Sequence, residues 1–370
     1  MIKINGPKAY IDSSRLETNI LKIRKHIGKK KIMVVVKANG YGHGAINIAS
    51  SLTKNTDIIF CVFSINEAME LRKSGVNNSI LIFSKLQSDW VNLAVEYNLW
   101  INASSMNDLD ILVKFYEHNK SCPKIHLEFD TGMTRSGFDY FDDEKVFNYL
   151  SKHPLLPVEG IYSHFATADE GDLAYAGYQL EEFKRILKNA KLFSIDFQYI
   201  HCSNSGSILN IPDSFFNTVR VGMLAYGVSP SKEVKMHINV EPVMSFCGPI
   251  VNLRRVSKNT PVSYGGIYVT KKNTNIGVIQ MGFADGVPRP WYEDGYISYK
   301  GEKYNIAGRI CMDQFMVDFG DVEPNIGEEV LVFGKEKGDF IPIETIAKKT
   351  NTTTYVLLTA IHGRTEYLVK

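Results

Sequence analysis

An alternation constrains this chain more than any other feature. Over its first two-thirds, short apolar runs rich in Val, Ile and Phe are separated by stretches of helical periodicity. The apolar runs fall at residues 32–36, 58–63, 80–83, 99–102, 125–129, 158–162, 197–201 and 218–221, and they read as buried strands. Between them the spacing predicts helices over 65–74, 106–116, 141–151 and 174–190. An earlier helix over 12–26 opens with the start signal Asp12-Ser13-Ser14. Eight strands separated by helices match an α/β fold of the (β/α)8 TIM-barrel type. A doubly wound sheet is the alternative, disfavoured by the eighth strand and by the lack of a G-x-G-x-x-G opening.

After about Pro230 the pattern changes. Runs over 250–256, 276–281, 296–299, 328–333 and 355–361 read as strands, several flanked by Gly-containing turns, and only 343–349 reads as a helix. The expected organisation is a barrel over 8–232 and a smaller, mainly β domain over 233–370, with residues 1–7 pairing with the second domain. A length of 370 residues suits two domains. With 44% hydrophobic and 22% charged residues the chain reads as globular, and its net charge of +2 is too small to imply nucleic acid or an anionic membrane as partner. The opening Met1-Ile2-Lys3-Ile4-Asn5-Gly6-Pro7 lacks the apolar core of a signal peptide, and no run approaches a membrane span. Five cysteines with no paired spacing give neither a disulfide framework nor a metal pattern, so a reducing cytoplasm and no metal are expected.

Barrel enzymes build their sites at the C-terminal ends of strands. Lys37 follows Val34-Val35-Val36 and precedes glycines at 40, 42 and 44 that allow sharp turns. Such a lysine either snorkels to water or, desolvated, loses its proton and forms a Schiff base with an aldehyde. Taken alone it favours snorkelling. The other strand ends change that balance. Strand 5 ends in Glu128-Phe129-Asp130, with Arg135 following; strand 6 ends in Ser163-His164; strand 7 ends in Cys202-Ser203-Asn204-Ser205; strand 8 carries Arg220 and runs into Val221-Gly222-Met223. Singly, Arg135 reads as a surface ion pair and His164 as a core histidine; five such rims on one barrel point to a site. The loops after strands 7 and 8 are the usual phosphate site of the fold, and Ser205, Gly222 and Met223 supply a hydroxyl and backbone N–H groups there. A Schiff-base lysine with a phosphate cradle is what pyridoxal 5′-phosphate (PLP) requires.

The segment Lys37-Ala38-Asn39-Gly40-Tyr41-Gly42-His43-Gly44 resembles the PLP-attachment signature of the alanine racemase family. Asp130-Thr131-Gly132-Met133-Thr134-Arg135-Ser136-Gly137, Ser163-His164-Phe165-Ala166, Asn204-Ser205 and the run Arg220 to Gly227 resemble further family segments, as do Val262-Ser263-Tyr264-Gly265-Gly266, Gly282-Phe283-Ala284-Asp285-Gly286 and the run Gly308 to Gln314. The resemblance covers nearly the whole chain. It implies PLP-dependent interconversion of L- and D-alanine by two bases on opposite faces of the cofactor, supplying D-alanine for peptidoglycan. Lys37 then holds the cofactor and serves the D-enantiomer, and Tyr264 serves the L-enantiomer. A phenol titrates near about 10, so Tyr264 needs neighbouring positive charge, for which His164 and Arg220 are the implied source. Tyr41 and Tyr355 hold the phosphate with Ser205, Gly222 and Met223, while His164 and Asn204 complete the cofactor site. Arg135, the Met312 N–H and Asp313 serve the substrate carboxylate. The resemblance also implies a homodimer in which Tyr264, Met312 and Asp313 enter the partner's barrel.

Arg220 bears on reaction type. The resemblance implies that it faces the pyridine nitrogen, where most PLP enzymes place a carboxylate, and an arginine cannot surrender its proton. The ring stays neutral and a weaker electron sink, which favours racemisation over amino transfer. That arrangement contradicts a barrel-type PLP decarboxylase, and the second domain with Tyr264 argues against a non-enzymatic PLP-binding protein. A racemase of broader specificity, acting on serine or other small amino acids, stays open. Glu128 stands where several relatives carry a carbamylated lysine, and it is expected to pin Arg135 by a charge-assisted bond. Phe283 stands where many relatives place a tyrosine at the substrate entrance, whereas retention of Tyr355 favours alanine over serine. The ending Gly363-Arg364-Thr365-Glu366-Tyr367 follows the family only at Arg364.

Overall fold

The computed structural model describes residues 6–370. Eight strands lie side by side in the order Thr218–Val221, Lys31–Val35, Ile59–Val62, Ile80–Ile82, Trp100–Ala103, Lys124–Asp130, Val158–Tyr162 and Tyr199–His201, all paired in parallel. Two bonds close the ring between its ends: the Arg220 N–H donates to Ser203 O at 3.2 Å, and the Ile200 N–H to Asn217 Oδ1 at 2.8 Å. Side chains alternate across a strand, and here the alternation sorts two cores. Ile32, Val34, Phe60, Ile82, Ile101, Leu127, Ile161 and Val219 pack outward against the helices. Met33, Val35, Ile59, Cys61, Leu81, Trp100 and Tyr199 form a separate cluster that fills the barrel. By the same alternation the last four strands turn His126, Glu128, Tyr162, His201 and Arg220 inward.

Helices Ala45–Leu52, Ile65–Lys73, Val91–Glu96, Met106–Asn119, Asp143–Ser151, Ala174–Leu192 and Ser205–Asn210 connect consecutive strands. The remaining helix of the ring, Ser13–Ile27, precedes the first strand. Asp12 caps it by accepting from the Arg15 N–H at 3.0 Å, and Gly28 ends it at φ 69°. Leu16, Ile20, Ile23 and Ile27 line its buried face. Asn19 ties that face to the end of the barrel, donating to Ala225 O and Glu241 O and accepting from the Glu241 N–H.

In the second domain, Met244–Val256, Thr274–Ile279, Phe315–Asp318, Glu302–Ile306, Tyr296–Tyr299 and Glu329–Glu336 pair antiparallel in that order, and the last pairs back with the first. The result is a small closed β barrel. Two expectations are corrected here. Lys8–Ile11, placed by the 8–232 limit in the first domain, pairs instead with Met244–Val256 and with Glu366–Val369, so it belongs to the second. Its alternation, with Ala9 and Ile11 buried, extends over only four residues. The matching expectation for residues 1–7 lies, for 1–5, outside the described residues. The run 355–361, read as a strand, is the helix Thr354–Thr359. Thr353 caps it, and Thr354, Leu357 and Leu358 are buried at helical spacing. A short apolar run carries no period long enough to separate the two states.

Candidate active site

The backbone beyond the Lys31–Val35 strand coils the wrong way. Ala38, Asn39, Gly40 and Tyr41 have φ of 51°, 53°, 62° and 51°, a left-handed turn bonded from the Gly40 N–H to Val36 O at 2.8 Å and from the Gly42 N–H to Ala38 O at 3.1 Å. Such a conformation costs about 1–2 kcal/mol at each residue other than glycine, so neighbours must enforce it. Glu67 accepts the Ala38 N–H at 2.7 Å with one oxygen and the Phe63 and Ser64 N–H groups with the other. Asn39 Oδ1 accepts the Ala45 N–H at 3.0 Å. Gly42 abuts the Thr354–Thr359 helix so closely that a Cβ would stand 2.0 Å from Leu358 O. Lys37 begins this turn, half-buried in the barrel mouth. Burial, then Arg135, then Arg220 hold its pKa below the usual lysine range.

On the adjoining rims, beyond the strand Thr218–Val221 that pairs with Lys31–Val35, Ser205 Oγ accepts the Gly222 N–H at 3.1 Å and the Leu224 N–H at 3.3 Å, which leaves its own O–H to donate. A Cβ on Gly222 would lie 3.2 Å from the Tyr41 hydroxyl. Tyr41 and Tyr355 meet edge to face at 5.8 Å. Burial raises both phenols, so both stay protonated donors. Asn204 spends its carboxamide oxygen on the Ser207 N–H as a helix cap, with its Nδ2 left over. Three hydroxyl donors beside a close-packed glycine suit a phosphate, and the chemistry of this set fits PLP.

Arg220, 4% exposed, is bound on nearly every side. Nη1 donates to His201 Nδ1 at 2.8 Å and His201 O at 3.0 Å; Nη2 donates to Ser163 O at 2.9 Å and His164 Nδ1 at 3.0 Å. Of its five N–H groups only Nε–H lacks a protein partner among the described residues, and that atom is not sealed from solvent. His164 corrects an expectation. It was to share in the positive charge near Tyr264, but burial and then Arg220, Arg135 and Lys37 hold its pKa well below the usual histidine range. It is a neutral imidazole whose Nδ1 accepts, so its proton sits on Nε2. Glu128 corrects another. Its Oε2 accepts from Asn102 Nδ2 at 2.9 Å and Ser136 Oγ at 2.8 Å rather than from Arg135. The Arg135 side chain is exposed and its loop is held through the backbone, by Asp130.

The second-domain residues form a separate group. Tyr264 is 66% exposed and Met312 55%, and among the described residues no hydrogen bond joins either side chain to the barrel. Ile267, Val269 and Phe283 are exposed as well. Ser263, just before Tyr264, takes φ 65° and ψ −176°, and its Oγ donates to Arg309 O at 2.7 Å. Gly308 permits that approach, since a Cβ there would stand 2.6 Å from Ser263 Cβ. Asp313 accepts from Arg364 at 2.7 Å, and Arg364 also clasps the buried Asp285 at 2.6 and 3.1 Å. One chain thus gathers Lys37, Tyr41, Arg135, His164, Asn204, Ser205, Arg220, Gly222, Met223 and Tyr355, and leaves Tyr264, Met312 and Asp313 on an outer face. Sequence reading missed Glu67, Asn102, His126 and His201. The Ser64-x-x-Glu67 capping box and the inward alternation of the barrel strands were the available signals.

Comparison with known proteins gives the family and the fold. The family model described as alanine racemase, N-terminal domain, matches residues 11–230, and that described as alanine racemase, C-terminal domain, matches 243–369. The chain is 35% identical over 361 residues to the alanine racemase of Desulforamulus reducens, covering 96% of each protein. It is 34% identical over 360 residues to alanine racemase 1 of Bacillus subtilis, covering 96% of this chain and 91% of that one. Among solved structures, alanine racemase of Clostridium difficile superposes with a TM-score of 0.92 at 29% identity, covering 100% of this chain and 97% of that one. The enzyme from the D-cycloserine producer Streptomyces lavendulae gives 0.92 at 29%, covering 100% and 98%. The chain belongs to the alanine racemase family.

Proposed function

We propose that this chain interconverts L- and D-alanine in a homodimer, with PLP in each barrel mouth, Lys37 as one proton carrier and Tyr264 of the partner subunit as the other. The condition of Lys37 carries the reading: an amine desolvated and flanked by Arg135 and Arg220, hence poised to be neutral. PLP, when bound, supplies an electron-withdrawing ring that acidifies the substrate Cα–H. The protein does the rest. Tyr41, Tyr355, Ser205 and the Met223 N–H hold the phosphate, and the Arg220 Nε–H is the donor left for the ring nitrogen. Arg135 and the Met312 N–H orient the substrate carboxylate, with Arg364 steadying Asp313 beside it. Lys37 takes or gives the Cα proton on one face and Tyr264 on the other. His164, its Nδ1 tied to Arg220, keeps an Nε2–H that stabilises Tyr264 as phenolate, while Arg220 supplies the positive charge.

The exposed Tyr264, Ile267, Val269, Phe283 and Met312 support the dimer, because they leave an apolar rim around a reactive phenol that one chain does not cover. Phe283 offers no hydroxyl at the entrance, which favours a second reading of wider range, reaching serine. Among the described residues no helix is long and apolar enough to cross a membrane; a cytoplasmic setting and supply of D-alanine for peptidoglycan belong to the proposal. A chiral assay of D- and L-alanine, serine and lysine, with and without added PLP, tests it. PLP-dependent turnover of alanine in both directions is expected; no turnover of any of the three would refute it.

A further inference from the structure

Arg220 is reached from inside the barrel by two histidines, His201 and His126, both fully buried. Nη1 of Arg220 lies 2.8 Å from His201 Nδ1, and His201 Nε2 lies 2.9 Å from His126 Nδ1. A guanidinium only donates. His201 Nδ1 therefore accepts, its proton sits on Nε2 and is donated onward, and His126 Nδ1 accepts in turn. That leaves the His126 proton on its own Nε2, buried with no partner among the described residues. Burial keeps both rings neutral, His126 down to about 3, and the charge of Arg220 opposes a second cation beside it. Packing fixes the ring planes. His126 stacks on Trp100 at 5.2 Å and Tyr199 at 5.5 Å, and His201 stacks on Tyr162 at 4.9 Å with planes 5° apart. Gly160 makes room, since a Cβ there would stand 2.2 Å from His126 Nδ1.

We infer that His126 and His201 are positioning residues: a one-way chain of tautomers that saturates Nη1 of Arg220 and holds the guanidinium so that only Nε–H is presented to the bound cofactor. Without the acceptor on His126, the His201 Nε2–H is buried with no partner, a cost that sets the Nδ1–H tautomer against the one Arg220 imposes. That N–H faces the Arg220 Nη1–H, donor against donor, and the guanidinium must turn away. The claim rests on the racemase reading for its kinetic consequence; the tautomers themselves do not depend on it.

The test compares His126→Leu, which fills space without an acceptor, with His126→Asn, whose Oδ1 falls near the former Nδ1. Nitrogen NMR of histidine-labelled protein, read with and without PLP, reports the His201 tautomer. Wild type and His126→Asn are expected to hold Nε2–H, and His126→Leu to lose it. In the PLP-loaded enzyme His126→Leu should lower kcat in both directions by about tenfold to a hundredfold with little change in KM, and should shift the visible band of the cofactor. His126→Asn should restore both. Nε2–H retained in His126→Leu, or Nδ1–H in wild type, overturns the chain; an unchanged kcat and band in His126→Leu overturns the positioning role. Should His126→Leu fail to fold, His126→Gln, whose amide reaches past the Nδ1 position, replaces it with the same expected losses. Correct tautomers in a protein that racemises nothing would sink the racemase reading and leave the chain intact.

Discussion

The two proposed proton carriers sit in opposite surroundings. Lys37 starts a left-handed turn braced by Glu67, Asn39 and Leu358, inside a barrel whose last strands point a histidine pair, a tyrosine and Arg220 at the same space. Tyr264 stands on a short turn of the second domain, two-thirds exposed, with apolar neighbours open around it. Preorganisation is complete on one side and absent on the other. A lysine loses its proton near neutrality when burial and neighbouring cations disfavour its charge, and the chain supplies both to Lys37; a phenol, which burial alone only raises, needs positive charge beside it. In the proposed dimer Tyr264 gets that charge by docking against a barrel mouth that holds Arg220, with the His164 Nε2–H as a hydrogen-bond donor. On the proposed reading the asymmetry divides the labour between cofactor binding, which one protomer would do alone, and racemisation, which would take two.

The largest expected effect tests the finished half. Lys37→Ala should remove the visible band of the PLP-loaded protein and lower racemisation by at least about four orders of magnitude, read by spectroscopy and chiral assay. Tyr264→Phe tests the unfinished half. It should keep the band and PLP affinity and lose about 10²–10⁴-fold in turnover, most of it from the L side. Normal turnover would end the two-base scheme. Mixing the two inactive variants under conditions of subunit exchange sharpens the contrast. Half the dimers are then mixed and each mixed dimer has one intact site of two, so about a quarter of wild-type activity should return. No recovery would place both carriers in one chain.

Most of the finished half was legible because its signals are local. A Val run, a lysine and spaced glycines mark the Lys37 turn, and the strand ends name Arg135, His164, Ser205 and Arg220. What failed to show was relational. A carboxylate at Glu128 on the strand leading to Arg135 suggested an ion pair, but it is claimed by Asn102 from the neighbouring strand and Ser136 from the next loop. His164 looked like a charge source until its burial among three cations was known. Lys8–Ile11 was too short to carry a period, and its place depends on partners some 235 and 358 residues away. The run at 355–361 needed the Thr353 cap and the buried Leu357 and Leu358 to read as helix.

Acid should separate the halves at a smaller scale. His43, His126, His164 and His201 are held neutral chiefly by burial, His43 down to about 4 and His126 to about 3, and all four belong to the barrel. Their pKa values lie lower in the folded than in the unfolded protein, so between those values the unfolded state binds more protons. Stability is then full above the ordinary histidine range near 6.5 and falls with acidification toward the folded values, by about 1.4 kcal/mol per pH unit for each histidine. Urea midpoints from pH 7 to pH 5 should fall steeply, and His126→Asn should flatten the slope by one proton. A flat profile would mean that these rings are not the buried neutral groups described.

The smallest effect compares one strained backbone from each half. Ala38 and Ser263 both hold positive φ, at 51° and 65°. Glycine adopts such angles without cost. Ala38 is exposed, so Ala38→Gly should chiefly relieve strain and raise stability by about 1 kcal/mol. Ser263→Gly relieves similar strain but deletes the bond from Oγ to Arg309 O, worth about 1 kcal/mol, so its net change should lie near zero. The kinetic order should reverse. Ala38→Gly leaves the Glu67, Asn39 and Leu358 braces on the Lys37 turn in place, whereas Ser263→Gly deletes a bond that holds the turn before Tyr264, so Ser263→Gly should cost more turnover from L-alanine than Ala38→Gly. Equal kinetic losses would mean that the turn before Tyr264 is as firmly held within one chain as the turn after Lys37, and the asymmetry between the two carriers would then lie only in their exposure.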